Sequence, residues 1–139
     1  MSQLLENDII GQIGTQKYLC TISWRNGQLL MDEPEAVGGN DLGPDPYSTL
    51  LASLAGCTLS TLRMYIDRKG WTIPEIKIMI NATQETSDTI ATKISRDISF
   101  TGSITNEQKE RLLFIADKCP VSKILKGNIT INTTANHGS

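Results

Sequence analysis

Residues 38–65 read GGNDLGPDPYSTLLASLAGCTLSTLRMY, and this stretch decides the fold of the 139-residue chain. Its beginning holds too much glycine and proline for a helix or a strand and is predicted to be a loop. Asp45 and Pro46 suit the N-cap and the first turn of a helix, and the next glycine, Gly70, suits the helix end. The sequence therefore predicts one long helix between Pro46 and Gly70.

This helix carries no formal charge from residue 46 to residue 62, and small residues separate its leucines. Such a pattern indicates cover on more than one side. The interspersed serines and threonines make the segment too polar for a membrane span, so protein is expected to supply the cover.

Alternating apolar residues predict strands before the helix. A short strand is expected around Ile9 to Ile13. Residues 18–24 and 29–31 are expected to form a hairpin, with Asn26-Gly27 supplying the positive φ angles of its turn.

After the helix, residues 76–82 and 90–100 are predicted to be two long strands of a half-covered sheet, because their isoleucines share one parity. This pattern continues the strand-rich character of the chain on the other side of the helix.

The last part of the chain is predicted to hold two further helices and a strand. Thr105 and Gln108 have the spacing of a capping box, and Pro120 opens a short helix. A final strand is expected to hold Ile129 and Ile131. The order of elements predicts the α+β class, with a largely antiparallel sheet in a single domain over residues 1–139.

Composition argues against several classes of function. The net charge is only −2, so no broad positive field favours nucleic acid. The first residues lack the pattern of a signal peptide. Three cysteines, an odd number, argue against a disulfide framework and favour reduced or redox-active thiols. We therefore expect a cytoplasmic protein with no nucleic-acid or membrane partner.

The three cysteines differ in their local sequence. Pro120 suits the first helical position, which leaves Cys119 as the N-cap with its sulfur near unpaired N–H groups, so a lowered thiol pKa is expected. An ordinary helix-start cysteine is equally compatible with these residues. Cys57 lies too far from its helix start for this effect and, on the residues alone, is interpreted as a small buried side chain. Cys20 is interpreted as a core or interface residue.

Metal binding has little support in the sequence. There is no C-x-x-C pair, and the only histidine is His137 in the C-terminal tail. A Cys-His centre would require that tail to fold back, so cysteine chemistry must be activated by a cation or a dipole instead. No metal and no bound cofactor are expected.

Residues 38–65 and the later stretch KCPVSKILKGNITI, residues 118–131, resemble the two hallmark regions of the OsmC/Ohr family (osmotically inducible protein C and organic hydroperoxide resistance). The predicted order of elements agrees, so the resemblance covers nearly the whole chain. It is closer to the subgroup with a Gly-Pro loop and an L-R-M-Y helix. The resemblance implies an OsmC-like fold that assembles as an intertwined homodimer.

The resemblance also implies a chemistry. Cys57 matches the peroxidatic position of the family and Cys119 the resolving one, which makes the chain a cysteine-based hydroperoxide reductase. Cys57 would reduce an organic hydroperoxide or hydrogen peroxide, Cys119 would form a disulfide with it, and an external dithiol would restore both thiols. The alternatives are a non-catalytic dimer of the same fold that binds a small apolar or thiol ligand, and a thiol-disulfide exchange protein.

The chain departs from the family pattern around the first cysteine. Relatives place a glutamate at the start of the central helix and an arginine from the N-terminal strands nearby. Here Tyr47 and Ser48 stand at the helix start, and the candidate activating cations are Lys17, at a strand start, and Arg25, in the hairpin turn. The loop glycines are expected to permit a close approach of the partner subunit.

Overall fold

The computed structural model describes residues 2–137. The chain divides into two compact units, one within the first 52 residues and the other from Ser53 onward. The expected single domain stays a prediction.

Three antiparallel strands form the sheet of the N-terminal unit. They are β1 (Ile10–Ile13), β2 (Cys20–Trp24) and β3 (Gly27–Met31), and they lie side by side in chain order. The prediction of a short first strand followed by a hairpin is confirmed. A short 3-10 helix, Glu35–Val37, and the glycine-rich loop follow this meander.

The hairpin turn lies one residue earlier than predicted. Trp24 pairs with Gly27, so Arg25 and Asn26 form the two-residue loop, and neither has a positive φ angle. Gly27 is needed for space instead, because a Cβ there would lie 2.7 Å from the Trp24 ring. The glycine therefore accommodates a cross-strand indole rather than a left-handed turn residue.

The carboxylate of Asp32 organises the segment after β3. Its two oxygens accept four backbone N–H bonds, at 2.8–3.3 Å, which join the strands to the glycine-rich loop. The donors are Tyr18, Glu33, Asn40 and Leu42. Desolvation raises the pKa of Asp32, but the four donors outweigh it and hold that pKa below its ordinary value.

The glycine-rich loop packs tightly against its own chain. A Cβ at Gly39 would lie 2.0 Å from the carbonyl oxygen of Glu33 and 2.8 Å from the Asp32 carboxylate. Gly39 thus has a role within its own chain, and the expectation that the loop glycines permit a close approach of the partner subunit stays a prediction. Here the glycine makes room for the turn that Asp32 closes.

The long helix α1 spans Pro46–Lys69, as predicted. Asp45 caps it by accepting from the backbone N–H and the hydroxyl of Ser48. By length and composition alone α1 could cross a membrane, but the core helix of a globular protein meets the same test. Its buried residues Leu62 and Ile66 belong to the core of the C-terminal unit, which favours that second interpretation.

The C-terminal unit packs helices against a two-stranded antiparallel sheet. The sheet pairs β4 (Ile76–Thr86) with β5 (Ile90–Phe100), and the helices α2 (Asn106–Ala116) and α3 (Pro120–Lys126) follow. Thr105 and Gln108 form the predicted capping box of α2. The two sheets and the long helix confirm the α+β class with antiparallel pairing.

The core of this unit lies between α1, α2 and the inner face of the sheet. It consists of six buried side chains: Leu62, Tyr65, Ile66, Ile73, Leu112 and Ala116. Because four consecutive turns of α1 carry a buried residue, the helix is held in place along the length that contains both Cys57 and the core.

The predicted final strand is wrong for the chain as described. Residues 128–137 have no regular secondary structure, and Ile129 and Ile131 are exposed. A strand needs a neighbouring edge with which to exchange backbone hydrogen bonds, and residues 128–137 pair with neither β4 nor β5, although each of these strands has one edge outside their mutual pairing.

We predict that Asp32→Asn destabilises the fold. An amide offers one acceptor oxygen in place of two, so two of the four backbone donors lose their partner. We expect the midpoint of thermal unfolding, followed by circular dichroism, to fall by roughly 5–10 °C. The exposed neighbour Glu35→Gln is the matched control and should leave the midpoint unchanged.

The loss of stability caused by Asp32→Asn is expected to depend on pH. The folded-state pKa of Asp32 is depressed, so its contribution is complete above the unfolded pKa and disappears as pH falls through the folded pKa. The difference in stability between wild type and Asp32→Asn should therefore be constant near neutral pH and shrink below about pH 4. A difference that grows on acidification would contradict this role.

Candidate active site

Cys119 occupies the N-cap of α3, as the sequence predicts. Pro120 takes the first helical position, and the Cys119 sulfur accepts from the backbone N–H of Ser122 at 3.4 Å. The side chain of Cys119 is fully buried. The thiol therefore replaces water as the partner of a helix-start donor.

Cys57 meets the same helix start from the opposite direction. Its sulfur accepts from the backbone N–H of Val121 at 3.5 Å, the donor next to the Ser122 N–H that meets Cys119. Cys57 is only half-buried, whereas Cys119 is closed off from solvent. The structure thus brings together the two cysteines that lie 62 residues apart in the chain.

Several contacts act on the ionisation of Cys119. Burial raises the pKa of its thiol, because an ion is poorly solvated in the interior. Hydrogen bonds from Ser122, Thr58 and Cys57, together with the positive charge of Arg96, act in the opposite direction and place the pKa below its ordinary value. The site therefore favours a thiolate at a position that solvent does not reach.

Arg96 is a part of this site that the sequence analysis missed. Its guanidinium donates to the Thr58 hydroxyl at 2.9 Å and to the carbonyl of Ala116 at 3.4 Å, and it pairs with Asp117 at 3.1 Å. Thr58 in turn lies 3.7 Å from the Cys119 sulfur.

The sequence did contain a signal for Arg96. On β5 Arg96 alternates in step with Ile94 and Ile98, so its side chain lies on the partly buried face of the sheet. An arginine among apolar residues of one parity requires acceptors on the facing elements. The parity of β5 therefore indicates a buried cation as well as a strand.

The other candidate residues lie elsewhere. Lys17 precedes β2 and Arg25 lies in the hairpin turn, and both are exposed residues of the N-terminal unit, so their role as activating cations stays a prediction. Cys20 donates a hydrogen bond to the carbonyl of Tyr18 at 3.7 Å. Within residues 2–137, no group of three acidic, histidine or cysteine side chains is placed to hold a metal ion.

Known proteins share this fold at low sequence identity. An OsmC-like protein from Mycoplasma pneumoniae is 23% identical with a TM-score of 0.69, over 97% of this chain and 100% of that one. An organic hydroperoxide resistance protein from Elizabethkingia anophelis is 20% identical with a TM-score of 0.71, over 92% and 93%. An organic hydroperoxide resistance protein from Bacillus subtilis is 18% identical with a TM-score of 0.66, over 91% of this chain and 94% of that one.

Sequence comparison gives a family but no close relative of established role. No curated protein matches the sequence significantly. The model of the family described as OsmC-like protein matches residues 38–134, which include the glycine-rich loop, α1 and both cysteines of the site. This chain therefore belongs to the OsmC-like family.

Proposed function

We propose that this chain is a thiol-dependent peroxidase that reduces organic hydroperoxides or hydrogen peroxide through Cys57 and Cys119. The observation that carries the proposal is that both sulfurs meet the start of α3, where Cys57 accepts from the N–H of Val121 and Cys119 from the N–H of Ser122. Two free cysteines held at neighbouring backbone donors are placed to pass through sulfenic acid to a disulfide. Two of the structural relatives are named organic hydroperoxide resistance proteins, which agrees with this chemistry.

The first step is assigned to Cys57 because it is the accessible thiol of the pair. Its thiolate attacks the terminal oxygen of the hydroperoxide, the O–O bond breaks, and the alkoxide leaves and takes up a proton to become an alcohol. Cys57 is then a sulfenic acid. The N–H of Val121 donates to this sulfur and stabilises negative charge on it before the attack.

The second step is assigned to Cys119. Its thiolate attacks the Cys57 sulfur, the S–O bond breaks, and hydroxide leaves as water after protonation. The product is a Cys57–Cys119 disulfide, which an external dithiol reduces by thiol-disulfide exchange. This cycle consumes no bound cofactor, and it requires a reducing compartment such as the cytoplasm.

A homodimer is the second part of the proposal, because the N-terminal sheet lacks an apolar core. Asp32 and Gly39 are the buried residues among positions 2–52. One face of the sheet is nevertheless apolar, with Ile13, Ile22 and Trp24 on it. A three-stranded sheet needs a covered hydrophobic face to be stable, and we propose that a second copy of the chain supplies that cover.

The peroxidase proposal predicts a specific pattern of variants. Wild type should consume cumene hydroperoxide, tert-butyl hydroperoxide or hydrogen peroxide in the presence of dithiothreitol, and Cys57→Ser should fall to the uncatalysed rate. Cys20→Ser is the matched control and should keep wild-type activity, because Cys20 lies outside the thiol pair. A wild-type rate no higher than that of Cys57→Ser would remove the peroxidase function.

Mass spectrometry separates the two cysteine roles. Treated with one equivalent of hydroperoxide without reductant, wild type should lose about 2 Da as the disulfide forms. Cys119→Ser should instead gain about 16 Da, the mass of a sulfenic oxygen on Cys57. A stable oxygen adduct on Cys119 in the Cys57→Ser variant, formed at the wild-type rate, would reverse the proposed order.

The dimer proposal predicts that Ile13→Asp dissociates the protein. A charge on the apolar face of the sheet would have to be buried against the second copy without a partner. Light scattering should give twice the chain mass of 15.2 kDa for wild type and a shift toward the single-chain mass for Ile13→Asp. Gln12→Asp, on the opposite face of β1, is the control; a monomeric wild type would contradict the proposal.

A further inference from the structure

Arg96 is a cation on the partly buried face of β5. Its side chain is 15% exposed, and its neighbours of the same parity on the strand are isoleucines. Burial of a guanidinium is costly unless its donors are satisfied. In this protein its partners are the Thr58 hydroxyl, the Ala116 carbonyl and the Asp117 carboxylate.

The contact with Thr58 connects Arg96 to the buried thiol. The Thr58 oxygen accepts from Arg96, so its single proton remains for one of two acceptors. These are the Leu54 carbonyl at 2.8 Å, one helical turn earlier, and the Cys119 sulfur at 3.7 Å. A thiolate can only accept, so ionisation of Cys119 turns this hydroxyl toward the sulfur. The guanidinium polarises the hydroxyl and strengthens that bond.

We propose that Arg96 is a positioning residue that stabilises the Cys119 thiolate through Thr58 and thereby controls how readily Cys119 closes the disulfide with Cys57. The ionisation of Cys119 stands on the contacts alone, while the consequence for disulfide formation rests on the proposed peroxidase function. Hydrogen bonds and positive charge already lower the pKa of Cys119 in spite of its burial, in agreement with this role.

Other ionisable groups lie on the elements that neighbour Cys119 along the chain or pack against it. They are Cys57 on α1, Asp117 and Lys118 after α2, and Lys123 and Lys126 on α3. Asp117 opposes the thiolate, but it is 60% exposed and pairs with both Arg96 and Lys126, at 3.1 and 3.5 Å. Arg96 is the cation that reaches the buried hydroxyl beside the sulfur, so its effect is the least screened by solvent.

The role of Arg96 affects the second half of the reaction. The Cys119 thiolate supplies the electron pair that forms the S–S bond, while the S–O bond of the Cys57 sulfenic acid breaks and releases hydroxide. A smaller thiolate fraction slows this step, and the higher nucleophilicity of a more basic thiolate offsets only part of that loss. The first step, in which Cys57 attacks the peroxide, uses a different sulfur and should change less.

The test is a thiol titration in a background that leaves Cys119 as the one cysteine. In Cys20→Ser/Cys57→Ser, thiolate absorbance at 240 nm is followed from pH 4 to pH 9, with the variant that also carries Cys119→Ser as the blank. Adding Arg96→Met should raise the midpoint by about one pH unit, and Arg96→Lys should restore most of the shift. An unchanged midpoint in Arg96→Met would overturn the proposal, as would a failure of lysine to restore it in a folded variant.

A second pair of variants tests the route through Thr58. Thr58→Val should raise the midpoint, whereas Thr58→Ser, which keeps the hydroxyl, should not. Because both effects share one route, Arg96→Met and Thr58→Val together should shift the midpoint by less than the sum of the single shifts. Additive shifts would exclude the route. If Arg96→Met does not fold, the comparison of Thr58→Val with Thr58→Ser still decides the matter.

The titration distinguishes this inference from the function on which it rests. No peroxide is present, so a protein without peroxidase activity still reports the effect of Arg96 on Cys119. If the peroxidase proposal holds, Arg96→Met with its native cysteines should close the disulfide more slowly at pH 7, by at most about tenfold, and recover at higher pH. Peroxide consumption lost equally at every pH would assign Arg96 to folding rather than to the thiolate.

Discussion

The start of α3 is the point on which the arrangement of the site depends. Pro120 has no N–H group of its own, and the next two backbone donors, on Val121 and Ser122, each meet a cysteine sulfur. The N–H groups of a first helical turn have no partners within the helix, so they must find acceptors from outside. In this protein two thiols from distant parts of the chain satisfy that requirement, and they are brought to neighbouring donors as a result. The two sulfurs proposed to react are therefore also the acceptors that cap the helix.

Each of the two units contains a buried charge that is satisfied by several hydrogen bonds. Asp32 is buried because four backbone donors surround its carboxylate, and Arg96 is mostly buried because three acceptors surround its guanidinium. Among the described residues, no buried side-chain nitrogen or oxygen is without a hydrogen-bond partner. Polar groups of this kind specify a local arrangement more sharply than apolar packing does, since each unmet bond is costly. They fix the glycine-rich loop in one unit and the surroundings of Cys119 in the other.

The sequence predicted correctly the features that depend on a few neighbouring residues, namely the starts of the helices. Asp45 and Pro46 set the start of α1, the Thr105 and Gln108 pair set the start of α2, and Cys119 was recognised as a cap from the proline beside it. The sequence-based predictions were wrong or incomplete where the role of a residue depends on a part of the chain that is distant in sequence. The role of Gly27 depends on the Trp24 ring across the hairpin, and a final strand depends on pairing with a second strand, which the alternation of Ile129 and Ile131 does not by itself supply. Arg96 was overlooked for the same reason, because its partners lie 20 to 38 residues away.

The more stable thiolate and the thiol assigned the first attack are different cysteines, and their difference in burial accounts for this. Local physics favours Cys119 as the more stable thiolate, while resemblance to the family assigns the first attack to Cys57. A peroxidatic thiol must meet a substrate from solvent, and the half-buried Cys57 satisfies that condition where the closed Cys119 does not. A resolving thiol meets its target inside the protein, so it needs ionisation rather than access. The features that stabilise the Cys119 thiolate, the Ser122 N–H and the Thr58 hydroxyl backed by Arg96, thus suit the second step of the proposed cycle, and the ionisation of Cys119 is compatible with a first attack by Cys57.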